Sequence, residues 1–271
     1  QKKVIRAIGC KEVTDYVDLI VLKGQEQPVY QAIAQALFER RAQFDHLNLC
    51  NVPANSPTLS IFVEMLASCG FATEKEQINV CPVIELPLSW DDYLGGLTKK
   101  RRHEIRRKLR RADNSGEDIA MYSVDDSHDL NAEMDAFMEL MAASSPEKAA
   151  FLQDTHHARF FIQVMQPLYN QGWLSLNFLT INGERSAAYL NFVYNNRILV
   201  YNSGLKYEPY GHLSPGIVLL ASNIQSAITA GHTIYDFLRG DEVYKYRMGG
   251  EDTAIYSLTI IHNQEVMSQC R

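Results

Sequence analysis

Residues 173–204 constrain the fold most. WLSLNFLTI (173–181) alternates apolar and polar positions, ERSAAYLNFVY (184–194) runs on after Asn182-Gly183, and RILVYNSG (197–204) follows Asn195-Asn196. A period of two sends successive side chains to opposite faces of a strand. A two-residue Asn-Gly loop suits the turn whose twist matches the flanking strands. The run therefore predicts a three-stranded antiparallel meander. SPGIVLLASNIQSAITAG (214–231) comes next. Ser214 is a candidate N-cap, Pro215 fits the first helical position, and Ile217, Leu220, Ala221, Ile224 and Ile228 recur at helical spacing. Gly231 suits the C-terminal cap. A short strand, HTIYDF (232–237), and a final strand, AIYSLTIIH (254–262), complete this part.

The first 80 residues read as a separate α/β unit. Short apolar runs at 4–9 and 17–24, strands at 46–53 and 74–86, and helices at 29–41 and from Ser56 to Gly70 give an expected order of strand–helix–strand–helix–strand, with 17–24 leading into the first helix. Pro87 and Ser89 mark a boundary, which gives a scaffold unit over 1–86 and a larger domain over 87–271. Helices are expected at 125–144 and 154–171, with Pro167 kinking the latter. The chain has 271 residues, 46% hydrophobic and 21% charged, as soluble globular proteins have. No apolar run reaches the ~18 residues of a membrane span. The start, QKKVIRAIGC, lacks the apolar core of a signal peptide. Five cysteines (Cys10, Cys50, Cys69, Cys81, Cys270) without CxxC spacing argue against a disulfide framework or a zinc site. No metal is expected, and a reducing cytoplasm is the expected location.

One segment breaks the charge balance. KKRRHEIRRKLRR (99–111) holds nine Lys or Arg and one Glu in a chain of net charge −6. Leu94, Leu97, Ile105, Leu109 and Ala112 form a narrow apolar stripe, so a surface helix is expected. Unpaired like charges one turn apart repel by a few tenths of a kcal/mol per pair. Lys99–Arg111 therefore calls for an anionic partner: a phosphate-bearing ligand, tRNA or an anionic surface.

Three antiparallel strands, a capped helix and one more strand is the order of the acyl-CoA-binding half of GNAT acetyltransferases. LTKKRRHEIRRKLRRA (97–112), INGERSAAYLNF (181–192), YNSG (201–204), LSPGIVLL (213–220) and YDFLRGDEVYKYRMG (235–249) resemble the CelD subgroup of GNAT-like acyltransferases, associated with cellulose and exopolysaccharide synthesis and distantly like FemAB enzymes. The resemblance implies an α/β (α+β) fold with a mixed, mostly antiparallel sheet flanked by helices. It also implies two tandem GNAT-like lobes, the first incomplete. It implies transfer of an acyl group from a CoA thioester to an amine or hydroxyl of a sugar- or peptide-linked acceptor in cell-envelope or polysaccharide biosynthesis. YGHLSPG (210–216) departs from the usual Q/R-x-x-G-x-G/A loop, which leaves acetyl-CoA, a longer acyl-CoA, a carrier protein and an aminoacyl-tRNA open as donors. The alternatives are a Fem-type, tRNA-dependent aminoacyltransferase and a non-catalytic binding protein on the same fold.

Within that fold the helix start at Ser214, Pro215, Gly216 and Ile217 is the candidate donor-binding element, because free N–H groups and the positive dipole end favour phosphate there. There is no GxSxG elbow and no Cys–His pairing at a helix start, so direct attack without an acyl-enzyme is expected. Asp236, the polar residue of an apolar strand, is the candidate base, with Asp241 and Glu242 as alternates. A salt bridge from Asp236 to Arg239 or Lys245 is the competing reading. Tyr201 and Tyr244 are candidate acids, against the alternative of half-buried packing. Arg239, Asp241, Glu242, Lys245 and Asn202 are candidate acceptor-binding residues.

Overall fold

The computed structural model describes residues 2–9 and 13–262, so Cys10 and Cys270 lie outside the described residues. The elements run β1 (Val4–Arg6), α1 (Glu26–Glu39), β2 (His46–Pro53), α2 (Ile61–Ser68), β3 (Phe71–Glu85), α3 (Trp90–Gly96), α4 (Lys99–Asp113), β4 (Ile119–Ser123) and α5 (Leu130–Ser144). They continue through α6 (Pro146–Gln153), α7 (Thr155–Asn170), β5 (Leu174–Ile181), β6 (Glu184–Tyr194), β7 (Arg197–Leu205), α8 (Pro215–Thr229), β8 (Ile234–Asp236), α9 (Val243–Arg247) and β9 (Glu251–His262). Among the described residues no helix is long and apolar enough to cross a membrane.

The chain forms two compact units. One comprises Gln1–Cys81, Arg239–Asp241 and Asp252–Arg271, and the other Pro82–Leu238 and Glu242–Glu251. In the first, the strand order is β1-β2-β9-β3, with β1 parallel and β9 antiparallel to β2. Tyr30 and Ala34 of α1 and Phe62 and Leu66 of α2 pack with Leu47, Leu49, Leu258 and Ile260 from β2 and β9. Burying each large apolar side chain contributes ~1.5–3 kcal/mol. The strand expected at 17–24 does not form. Val17 donates to the Asn51 carbonyl, while Ile20 and Leu22 are exposed. Asn51 has φ +58° inside a register shift of β2 between Leu49 and Val52. Apolar, β-branched residues favour a strand only where neighbouring strands can pair with them.

The second unit has strand order β3-β8-β7-β6-β5-β4. Every pairing described there is antiparallel except β7 with β8. The meander forms as expected. Asn182 (φ +52°) and Gly183 (φ +80°), then Asn195 (φ +49°) and Asn196 (φ +59°), supply the two positive φ angles of each tight hairpin. Alternation divides the sheet into two apolar faces. Leu176, Phe178, Ala188 and Leu190 pack on α5 and α7 through Phe137, Met141, Phe161 and Met165. Leu179, Ile181, Ala187 and Tyr189 pack with Val218, Leu220, Ala221 and Ile224 of α8, and with Ile105 of α4. Gly204 lets α5 lie directly on β7, because a Cβ there would sit 2.6 Å from Leu140 Cβ and from the Met141 backbone nitrogen.

Candidate active site

The site begins where two parallel strands part. β7 and β8 pair only from Arg197↔Ile234 to Leu199↔Asp236, after which β8 ends and β7 runs on to Leu205. A register shift between β6 and β7 leaves Tyr201 as the extra residue between Val200 and Asn202. The helix joining the two strands, α8, starts beyond the carboxyl end of β7. In open sheets ligands bind outside the carboxyl ends of parallel strands, where such a crevice forms.

The start of α8 differs from its sequence expectation. Ser214 has φ +57° and ψ +51°, and its side chain makes no capping bond. A left-handed conformation is costly for a residue with a Cβ. The hydroxyl oxygen instead accepts a hydrogen bond from Lys108 Nζ at 2.7 Å, and Arg111 Nη1 donates to the His212 carbonyl at 3.1 Å. The basic helix α4 thus lies on the opening turn of α8. Glu104 holds Arg107 at 2.7 Å and stands 3.8 Å from Lys108. Burial lowers the Lys108 pKa; Glu104 opposes this, while Arg107, Arg111 and Arg247 add to it. Of the first-turn amides, Pro215 has none and Ile217 donates to the Ser214 carbonyl. The Gly216 N–H has no acceptor among the described residues. A Cβ at Gly216 would come only to 3.5 Å from Leu205, so packing alone does not demand glycine there.

Past β8 the chain makes a strained turn. Leu238 is buried with φ +55°, unusual for a bulky residue. Asp236, 1% exposed, accepts from the Leu238 N–H through Oδ1 at 2.8 Å. Lys245, 2% exposed, donates to the Leu238 carbonyl at 3.2 Å. The two residues therefore clamp the Leu238 backbone through the peptide groups on either side of it. Lys245 also pairs with Glu242 at 2.9 Å; the Glu242 side chain is 57% exposed. Glu242 and Lys245 thus come together in the second compact unit. Arg239 and Asp241 belong to the first, where Arg239 Nε pairs with Asp15 Oδ1 at 3.2 Å.

The remaining candidates are placed more by packing than by chemistry. The Tyr201 ring lies between Phe161 and Phe192, with centroids 5.6 and 4.9 Å away. Tyr244 is edge-on to Phe237, and burial pushes its phenol well above the usual range, with Tyr189, Glu242 and Tyr235 adding to that. The Asn202 side-chain oxygen folds back to accept from the Ser203 N–H at 2.8 Å.

Sequence reasoning missed Lys148. It sits in the first turn of α6, behind the Ser145 cap and Pro146. Its Nζ donates to the Ser203 carbonyl at 2.5 Å and lies 3.4 Å from Ser203 Oγ, on the half of β7 beyond its pairing with β8. Burial pulls its pKa down to about 8, against the opposing pull of Glu242. A lone lysine in SPEKAAFL (145–152) offers no pattern that would single it out.

The profile of the acetyltransferase (GNAT) domain family matches residues 99–246, more than half of the chain. The chain belongs to this family. The matched segment of this GNAT protein runs from the basic helix to the α9 lysine, so it holds both the α8 start and the Leu238 clamp. No curated protein matches it by sequence. Among solved structures it resembles FemX, at 12% identity and TM-score 0.65, over 94% of this chain and 82% of that one. It also resembles a conserved protein of unknown function from Bacteroides thetaiotaomicron VPI-5482, at 13% identity and TM-score 0.59, over 85% and 75% of the two chains. L-PGS from Bacillus licheniformis matches at 9% identity and TM-score 0.54, over 88% and 74%. At such identities these likenesses concern the GNAT fold alone.

Proposed function

We propose that this GNAT protein moves an acyl group from a CoA thioester to an amine or hydroxyl by direct attack. The observation that carries the reading is the seating of Lys108 on Ser214 at the start of α8, with Arg111 and Arg247 close by and the Gly216 N–H without an acceptor. A phosphate there meets a helix N-terminus, a free amide and several cations, which is the chemistry of anion binding. The Ser214, Pro215, Gly216 and Ile217 turn is assigned to the donor phosphates. Gly216 admits the ligand close to the backbone, while the Ile217 amide, already bonded, serves the turn itself.

The acceptor nucleophile attacks the thioester carbonyl and must lose its proton as the C–N or C–O bond forms. Glu242 is assigned that proton, because it is exposed, whereas Asp236 is buried and engaged with Leu238. Asp236 and Lys245 are assigned to position the Leu238 turn. The departing thiolate must gain a proton, and Lys148, with a pKa of about 8, is protonated at neutral pH yet acidic enough to give one up. Tyr244 suits this role less well, since a phenol pushed upward is the weaker acid. The CelD-like motifs support a sugar- or peptide-linked acceptor and a place in the cytoplasm, where CoA thioesters are made available. In this reading residues 87–271 carry the chemistry and 1–86 support it.

Calorimetric titration of CoA into the wild type and into Lys108→Ala tests the donor assignment. Micromolar binding that is lost in the variant supports it, and equal affinity for both rejects it. A second reading, transfer from a charged tRNA, is favoured by the exposed Arg106, Arg110 and Arg111 on α4. Filter binding of tRNA across a salt series decides it, because phosphate contacts give a steep salt slope.

A further inference from the structure

The second unit holds a cavity of about 310 Å³ between the sheet and the C-terminal half of α8. It lies away from the donor turn: Ser226 is eleven residues beyond Pro215, about 16 Å along the helix axis. The sheet face below α8 changes character along its length. Leu179, Ile181 and Ala187 are apolar, but Asn177 and Asn191 on the same face are polar. The helix mirrors that change with Ser222, Asn223 and Ser226.

These polar groups satisfy one another only in part: burial raises the Tyr235 phenol, and a side-chain contact with Asn223 opposes that. Among the described residues Asn191 Oδ1 and His232 Nδ1 have no hydrogen-bond partner, while Asn223 Nδ2 and Tyr235 Oη approach each other without good hydrogen-bond geometry, and all four residues line this cavity. Asn191 is 1% exposed and Tyr235 is fully buried. Proteins satisfy nearly all their buried polar atoms, and each failure costs a notable part of a small net stability. Apolar residues at these positions would extend the neighbouring core without that cost. Four under-satisfied polar residues around one cavity therefore point to something that bonds them.

The lining fixes the chemistry of that partner. No Asp, Glu, Lys or Arg lines the cavity, so a charged ligand would find no counter-charge. The wall mixes donors and acceptors: an amide oxygen, an amide N–H₂, a phenol and an imidazole nitrogen. Ile198, Leu219 and the Tyr235 ring supply apolar surface between them. Hydroxyl groups both donate and accept, and a sugar ring also offers C–H faces. A volume near 300 Å³ is the lower end of ordinary small-ligand pockets. We infer that this cavity is a binding site for a neutral polyhydroxylated molecule of monosaccharide size, separate from the donor site.

The test uses D-glucose, N-acetyl-D-glucosamine and myo-inositol as probes, by saturation-transfer NMR and calorimetry on the full chain. At least one should bind one-to-one, with equal affinity in the presence of saturating CoA. Ser226→Leu and Asn223→Leu, which fill the cavity, should weaken it at least tenfold. Circular dichroism melts report whether those variants fold. If they do not, His232→Ala at the partly exposed rim decides, with the same tenfold loss expected. The inference is overturned if none of the three probes binds, which would leave the cavity to water alone. It is also overturned if the folded variants bind as the wild type does, or if CoA displaces the probe.

Discussion

Lys148 supplies the sharpest test of the site, because its environment makes a claim about stability as well as chemistry. Its ammonium group is held at about 8 rather than at the ordinary 10.5, with burial as the main cause. That gap corresponds to ~3 kcal/mol of unfavourable folding free energy at pH 7, as an upper limit for a group not fully enclosed. The sign follows from proton counting. Between pH 8 and 10.5 the unfolded chain binds more protons at this residue than the folded one, so stability rises with pH across that window. By pH 9.5 the penalty should have fallen by ~2 kcal/mol. Lys148→Met removes the charge but also the bond to the Ser203 carbonyl, which contributes ~1 kcal/mol. The variant should therefore be ~2 kcal/mol more stable than the wild type at pH 7, and nearly level with it at pH 9.5. Urea denaturation of both proteins at the two pH values measures this, and taking the difference cancels the titration of every other group. Acyl transfer should fall in the same variant, as expected where function opposes stability. A variant less stable than the wild type at pH 7, or a gap that does not change with pH, would refute the reasoning.

Three other outcomes are expected. Lys108→Ala should weaken CoA binding by about 10- to 150-fold, the equivalent of one charge-assisted hydrogen bond of ~1.5–3 kcal/mol, measured calorimetrically. Gly204→Ala pushes a methyl group into the α5 backbone and should cost ~1–3 kcal/mol by chemical denaturation, since overpacked cores yield only partly. Asp236→Ala releases the Leu238 N–H and a left-handed turn, with a loss of ~1–3 kcal/mol in the same assay; Asp236→Asn, which keeps an acceptor oxygen, should recover most of it. If Asp236→Asn instead abolishes acyl transfer at full stability, Asp236 is the base after all.

The second unit was largely legible in the sequence, and the reason is local. Strand alternation, Asn-rich two-residue turns and a Pro-led helix are each decided within a few residues. The same reading misjudged 17–24, where apolar content suggests a strand but, among the described residues, no strand pairs along it. It took Ser214 for a hydroxyl cap, although Lys108, 106 residues earlier in the chain, uses that oxygen. Lys148 and the left-handed Leu238 left no trace at all. Burial, a shifted pKa and positive φ depend on which distant segments close over a residue, and spacing along the chain does not carry that. The basic helix α4 is the mixed case: its charge announced an anionic partner, but only its packing on the start of α8 offered a location.

The division of the chain also sets an order of folding. The sheet of the first unit places β9, from the far end of the described chain, between β2 and β3. During synthesis its first 81 residues cannot complete that sheet until residues 251–262 have emerged. Pro82–Leu238, by contrast, is continuous and rich in short-range hairpin contacts, which form quickly. Assembly then runs against the direction of translation: the middle of the chain sets first and the beginning waits for the end. A released chain truncated after Gly250 should protect Pro82–Leu238 from protease while Gln1–Cys81 is still cut. Equal protection of both would show that the first unit does not need its late strand.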